Sequence, residues 1–353
     1  MGKGNIDITV TTQKKMYITI LNICACFGVV VLHSNKIFWT FPKGSTWVTA
    51  NFLETFFYWP VPVFFMITGA TLLDYRQKYS TKIYFVKRIR KTVIPFIVWS
   101  IIAALINIFY APQGNSNDIL MIVNNIVNTT YLDSVYWFFF PLFSVYLSMP
   151  IFSALTEKIR ILSYAVVCGF IFVSVLPFVN AFLKIPYNAA LTPPAVSGYM
   201  IYVFLGYLIS KCEISKKQRV IIYILGILGW LSHFCGTIVL SDGKEIIDTT
   251  FKGYTNWPGV LQAVAIFVFF KYKNYDSKLL NSKLFLCTIK KFADVTFGVY
   301  LVHYYFVMIL YRFSGDRIFS IFWRFAGAIV VFICSSTLIL ILKKIPLVKH
   351  IVP

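Results

Sequence analysis

Residues Lys14–Ser34, KKMYITILNICACFGVVVLHS, decide the class of this chain. The run is apolar over about twenty residues, enough for one helix to cross a bilayer, yet it holds an asparagine, Asn22, and a histidine, His33. A helix advances about 100° per residue, so their separation of eleven residues makes close to three turns and brings both onto one face, about 16 Å apart. Lys15, seven residues before Asn22, falls on the same face. The stripe Lys15, Ile18, Asn22, Cys26, Val29, His33 is therefore expected to wall a polar passage, because polar groups at membrane depth turn away from lipid that cannot satisfy them.

Outward from that helix, the composition is of one kind. A chain of 353 residues that is 58% hydrophobic, 18% aromatic and only 13% charged is no ordinary soluble domain. Ten apolar segments are expected to span: residues 16–37, 52–74, 92–111, 135–155, 161–183, 196–210, 219–240, 256–270, 293–311 and 320–342, the sixth and eighth being short. The expectation is an all-α, polytopic integral membrane protein forming a single domain over 1–353. If the first helix enters from the cytosol, both termini are cytosolic, and 25 of the 33 Lys and Arg residues fall on the cytosolic side against 8 outside. That asymmetry is the positive-inside pattern, so the formal charge of +20 reflects topology and calls for no nucleic-acid partner.

The loops and cysteines refine this. Within residues 112–134 the stretch DILMIVNNIV has the spacing of a short amphipathic helix lying against the membrane. Asp242, Glu245 and Asp248 read as solvated loop charge. The seven cysteines lie mostly in apolar segments, and Cys24 and Cys26 point to different helix faces, which suits packing and gives no metal site. The first apolar run is not followed by a small-residue cleavage site, so it is expected to stay as a helix.

Two groupings carry chemistry. Lys87, Arg88, Arg90 and Lys91 precede Pro95 at the start of the third segment, and four cations in five residues suit phosphate groups as well as topological anchoring. Of the four histidines, His33 shares a face with Asn22, His303 lies among aromatics in GVYLVHYYF, His233 has no motif around it and reads as structural, and His350 is in the tail. Glu54 is expected at the depth of His33, where a carboxylate either orients an imidazole or faces headgroups.

Taken in order, six stretches resemble the bacterial membrane acyltransferase family 3, in its stand-alone form without a fused esterase-like domain. They are VVVLHS ending the first helix, PVPVFFMITGATLL from Pro60, KRIRKTVIPFIVWS from Lys87, YWFFFPLFSVYLSMPIF from Tyr136, YVFLGYLIS from Tyr202 and FGVYLVHYY from Phe297. The resemblance implies transfer of an acyl group, most often acetyl, from cytosolic acetyl-CoA to a hydroxyl of an extracytoplasmic or lipid-linked saccharide, in the bacterial cytoplasmic membrane. His33 matches the histidine that closes the family's arginine, ten residues, histidine motif and is implied as the catalytic or acceptor-orienting group. Asn22 stands where the arginine belongs, and Lys15 is the nearest cation on that face. Lys87, Arg88 and Lys91, with Arg90 among them, match the family's basic motif and are implied as donor contacts. Trp137, Tyr300 and His303 are the candidates for acceptor contact. The glutamate that some members carry in the fourth helix is absent, since Trp137 to Leu147 contains no acid. A transporter or flippase with Asn22, His33 and Glu54 along its path is the competing reading, and the missing arginine also keeps an inactive scaffold in play.

Overall fold

The computed structural model describes residues 3–110, 119–129, 131–275 and 282–353. Among them all regular structure is helical. Eight helical stretches are long and apolar enough to cross a membrane, and two shorter apolar helices, Met200–Lys211 and Trp257–Tyr272, correspond to the two segments expected to be short.

The chain opens with α1 (Lys3–Ser34). The second segment is two helices, α2 (Gly44–Phe56) and α3 (Pro60–Leu72), broken at Phe57–Trp59. Pro60 takes the first position of α3, where its missing N–H has no partner to lose. The third is α4 (Thr81–Arg88), capped by Ser80, then one wide π-type turn over Ile89–Val93, then α5 (Ile94–Tyr110). Pro95 explains that turn. Its ring would collide with the carbonyl of Lys91 in a regular helix, and the widening lets the Ile94 N–H reach back to the Ile89 carbonyl instead. The same device recurs before Pro177, where Leu176 bonds to the Ile171 carbonyl between α8 (Ile159–Gly169) and α9 (Leu176–Phe182).

The amphipathic stretch forms α6 (Ile119–Val127), with Ile119 and Leu120 about three-quarters exposed (75% and 76%), as a helix laid on an apolar medium requires. A tight helical segment, Tyr131–Phe138, leads into α7 (Phe139–Phe152). The remaining helices are α10 (Met200–Lys211), α11 (Lys216–Ser241), α12 (Trp257–Tyr272), α13 (Lys283–Ser314) and α14 (Ile321–Leu342).

Side-chain pairs fix the directions that matter for the site. α1 and α13 run parallel: Asn22 meets Thr296, His33 meets His303, and the Ile37 N–H donates to the Tyr311 hydroxyl. α13 and α14 run antiparallel, with Lys343 on the Asp294 carbonyl at one end and Gly327 against Leu310 at the other. The start of α1 and the end of α14 therefore share one face of the bundle. Arg324 in the first turns of α14 is fully buried and donates to Thr49 at 2.8 Å, tying α14 to α2.

Burial of apolar surface drives little helix association in lipid, so close backbone approach has to hold helices together. It is closest between α3 and α10. A Cβ on Gly69 would lie 1.9 Å from the Val203 carbonyl oxygen, and one on Gly206 would lie 2.0 Å from that of Met66. Neither neighbour is a flexible side chain. Gly206→Val is expected to destabilise the fold by about 3 kcal/mol or more and to lower the amount of folded protein recovered from membranes. An unchanged melting temperature for that variant in detergent would contradict this packing.

Candidate active site

The stripe read from α1 does face protein. The Asn22 amide donates to Thr296 Oγ1 at 2.9 Å, Cys26 Sγ lies 3.3 Å from the Thr296 carbonyl, Val29 is buried, and His33 Nδ1 is 2.7 Å from His303 Nε2. All but Val29 meet α13 directly. The seam does not form one passage, however. Packing of Cys26 and Val29 closes its middle and leaves a cavity at each end, and the side chain of Lys15 lies outside the described residues.

The first cavity, about 310 Å³, opens toward the start of α1 and is lined by Asn22, Arg88, Lys91, Thr92, Thr296 and Tyr300, among others. The wide turn before Pro95 divides the basic motif. Arg88 and Lys91 line the cavity, whereas Lys87 is exposed over the Tyr79 ring at 3.9 Å and Arg90 is exposed away from it. The Arg88 guanidinium rests 5.6 Å from the Tyr146 ring, and its Nε is buried with no hydrogen-bond partner among the described residues. Asn22, in the arginine's place, adds an amide but no charge.

The second cavity, about 560 Å³, lies at the other end of the seam and is lined by His33, Lys36, Glu54, Trp137, Tyr254 and Tyr304, among others. Glu54 accepts from Lys252 Nζ at 3.1 Å, and both side chains are almost wholly buried. Lys252 stands behind the carboxylate, 4.4 Å from the Phe38 ring, 4.7 Å from Tyr58 and 5.2 Å from Trp39. Three aromatic faces are what keep a cation tolerable there. Burial lowers the Lys252 ammonium from its usual pKa, and the Glu54 charge opposes that. Tyr58, Tyr254 and Trp137 form a stack, with centroids 4.3 Å and 5.5 Å apart along it. Burial, with Glu54 adding, drives the Tyr254 hydroxyl well above the usual phenol range, so it stays protonated.

The structure thus brings His33, Glu54 and Trp137 to one cavity, and Asn22, Arg88, Lys91 and Tyr300 to the other. His303 lines neither: it is fully buried behind His33. Between the cavities, which share no lining residue, Phe138 packs on Tyr300 and Phe64 at 5.8 Å and 5.9 Å. The Tyr300 hydroxyl donates to the Val135 carbonyl at 2.6 Å and the Tyr136 hydroxyl donates to the Leu301 carbonyl at 2.7 Å. This clamp holds a segment in which Thr129, Leu132 and Ser134 all have left-handed backbones, with φ of 53°, 55° and 62°.

Residues 16–341 match the family model for an acyltransferase domain, that of acyltransferase family 3. The chain belongs to that family. No curated protein and no solved structure matches the sequence. The family match covers nearly the whole chain and makes it a membrane acyltransferase, and the matched region holds every residue lining the second cavity and all of those lining the first but Pro353.

Two residues that pack behind the lining of the second cavity were invisible as such in the sequence. Lys252 counted only as a loop cation, and nothing in FKGY signals that it folds under Glu54. His233, read as structural, packs edge-on to Tyr58 at 4.7 Å behind the same cavity, with both ring nitrogens unpartnered among the described residues. The Glu54–Lys252 pair makes a direct prediction. Lys252→Met strands a buried carboxylate and is expected to cost about 3 kcal/mol, and adding Glu54→Gln to it should recover more than half of the loss in thermal unfolding. Equal stability of the single and double variants would contradict the pairing.

Proposed function

We propose that the protein transfers a short acyl group, acetyl in the simplest case, from cytosolic acyl-CoA to a hydroxyl of a saccharide at or beyond the outer leaflet of a bacterial cytoplasmic membrane. The observation that carries this reading is the pair of unlike cavities at the two ends of one buried helix seam. The end with Arg88 and Lys91 offers positive charge and fixed N–H donors, which suit the phosphates of a CoA thioester. Its side of the bundle is the side of the Lys- and Arg-rich loops, which supports a cytosolic orientation.

The far cavity supports the acceptor half. Stacked aromatic faces, tyrosine hydroxyls, a carboxylate and an imidazole make a mixed surface that suits a polyhydroxylated ring, apolar on its faces and polar around its rim. In the reaction, the acceptor oxygen bonds to the thioester carbonyl carbon as His33 takes its proton, the C–S bond breaks, and the departing thiolate takes that proton back. The acyl end of the donor has to pass the Phe138 and Tyr300 partition to reach His33. Lys36, which donates to the Tyr304 hydroxyl at 3.4 Å, adds positive charge near the carbonyl where negative charge develops.

Acetyl-CoA-dependent transfer to a saccharide acceptor, followed by thiol release from purified protein, tests this. His33→Ala is expected to lower kcat by about 100-fold or more, in the range of a lost general base, with normal amounts of protein in the membrane. Arg88→Gln and Lys91→Gln are expected to raise KM for the CoA thioester and to leave KM for the acceptor alone. Full activity of His33→Ala would overturn the proposal.

A further inference from the structure

The hydrogen bonds running through the two stacked histidines fix which nitrogen of His33 does the chemistry. The catalytic consequence rests on the acyl-transfer reading above; the hydrogen-bond order itself does not. His303 Nδ1 lies 2.8 Å from the Tyr300 carbonyl oxygen and 3.1 Å from that of Val299, the carbonyls one turn back along its own helix. Carbonyl oxygens only accept, so Nδ1 carries a hydrogen. In the neutral ring that leaves His303 Nε2 as a bare acceptor. His33 Nδ1 is 2.7 Å away, and two lone pairs do not meet at that distance, so His33 Nδ1 carries a hydrogen too. The lone pair of a neutral His33 is then on Nε2, and the residue lines the far cavity.

We propose that His303 is a positioning residue that locks His33 in the Nδ1–H tautomer, so that Nε2 is the atom that removes the acceptor's proton. The chain from His33 through His303 to two backbone carbonyls does here what a carboxylate does for many catalytic histidines. Glu54 is paired with Lys252 through Oε1. The two rings are held nearly parallel, at 23°, with centroids 5.0 Å apart, and Tyr304 meets the His33 ring edge-on at 5.8 Å, which leaves little room for the ring to turn over. As the acceptor oxygen bonds to the carbonyl carbon, its proton goes to Nε2, and the imidazolium keeps its Nδ1–H bond to His303. When the C–S bond breaks, the same proton leaves Nε2 for the thiolate, which restores the starting tautomer.

The test uses the full chain in nanodiscs with all histidines labelled with ¹⁵N, and the His33 signals assigned by difference with His33→Asn. The expected spectrum has His33 protonated at Nδ1 and bare at Nε2, with the bare signal lost or halved in His303→Leu. In the transfer assay His303→Leu should lower kcat about 10–100-fold, the scale of a lost orienting partner, with KM for donor and acceptor within about twofold of the parent. His303→Gln keeps an acceptor oxygen for His33 and should recover most of that loss. A His33 protonated at Nε2 and bare at Nδ1 in the parent protein would overturn the proposal, as would a His303→Leu protein with unchanged kcat. If the parent protein transfers no acyl group, the proposed function fails and the nitrogen spectrum alone decides the hydrogen-bond order.

Discussion

Polar groups buried at membrane depth have to find partners in protein, and in this chain that requirement is met between α1 and α13. Asn22 finds Thr296, Cys26 finds a helix carbonyl, and His33 finds His303. These bonds align two parallel helices in one register, and the register places the cavities. The clamp of Tyr136 and Tyr300 hydroxyls between α13 and the segment ahead of α7 extends from the same helix. If α13 were rotated by one residue, about 100°, the seam would open to lipid and both cavities would lose a wall.

The seam also sorts the chemistry by position. Positive charge from Arg88 and Lys91 collects at the end where the chain's basic loops lie, and the imidazole pair, the buried Glu54–Lys252 pair and the aromatic stack collect at the other. The two cavities share no lining residue, and Phe138 packed on Tyr300 stands on the side of the first. On the proposed reading, this lets a large anionic donor remain at one face while only its narrow acyl end approaches a base near the opposite face. On the same reading the donor end relies on Arg88 and Lys91 for charge, while the Asn22 amide holds α1 against Thr296.

Much of this was legible in the chain itself, because membranes simplify sequence. Span length, the asymmetry of Lys and Arg, and the shared face of Asn22 and His33 follow from helix geometry and solvation alone, and the surface helix Ile119–Val127 follows from its spacing. What sequence did not carry was contact between segments far apart in the chain. Nothing local distinguishes Lys252 from a solvated loop lysine, since its burial depends on Glu54, 198 residues away, and on three rings from other segments. His303 looked like an acceptor contact because it sits among aromatics, but the register of α13 against α1 turns it toward His33 and away from the cavity. The expected single passage failed for a related reason: helical spacing puts Cys26 and Val29 on the polar face, and only packing shows that both are buried, with Cys26 against α13.

The central claim is that donor and acceptor meet from opposite faces along this seam. Sealed vesicles of known orientation test it most directly, with acyl-CoA confined to one side and a saccharide acceptor to the other. The account predicts acyl transfer only when acyl-CoA is on the side of the Lys- and Arg-rich loops and the acceptor is opposite. Transfer that requires both substrates on the same side, or that proceeds equally with the two exchanged, would contradict it.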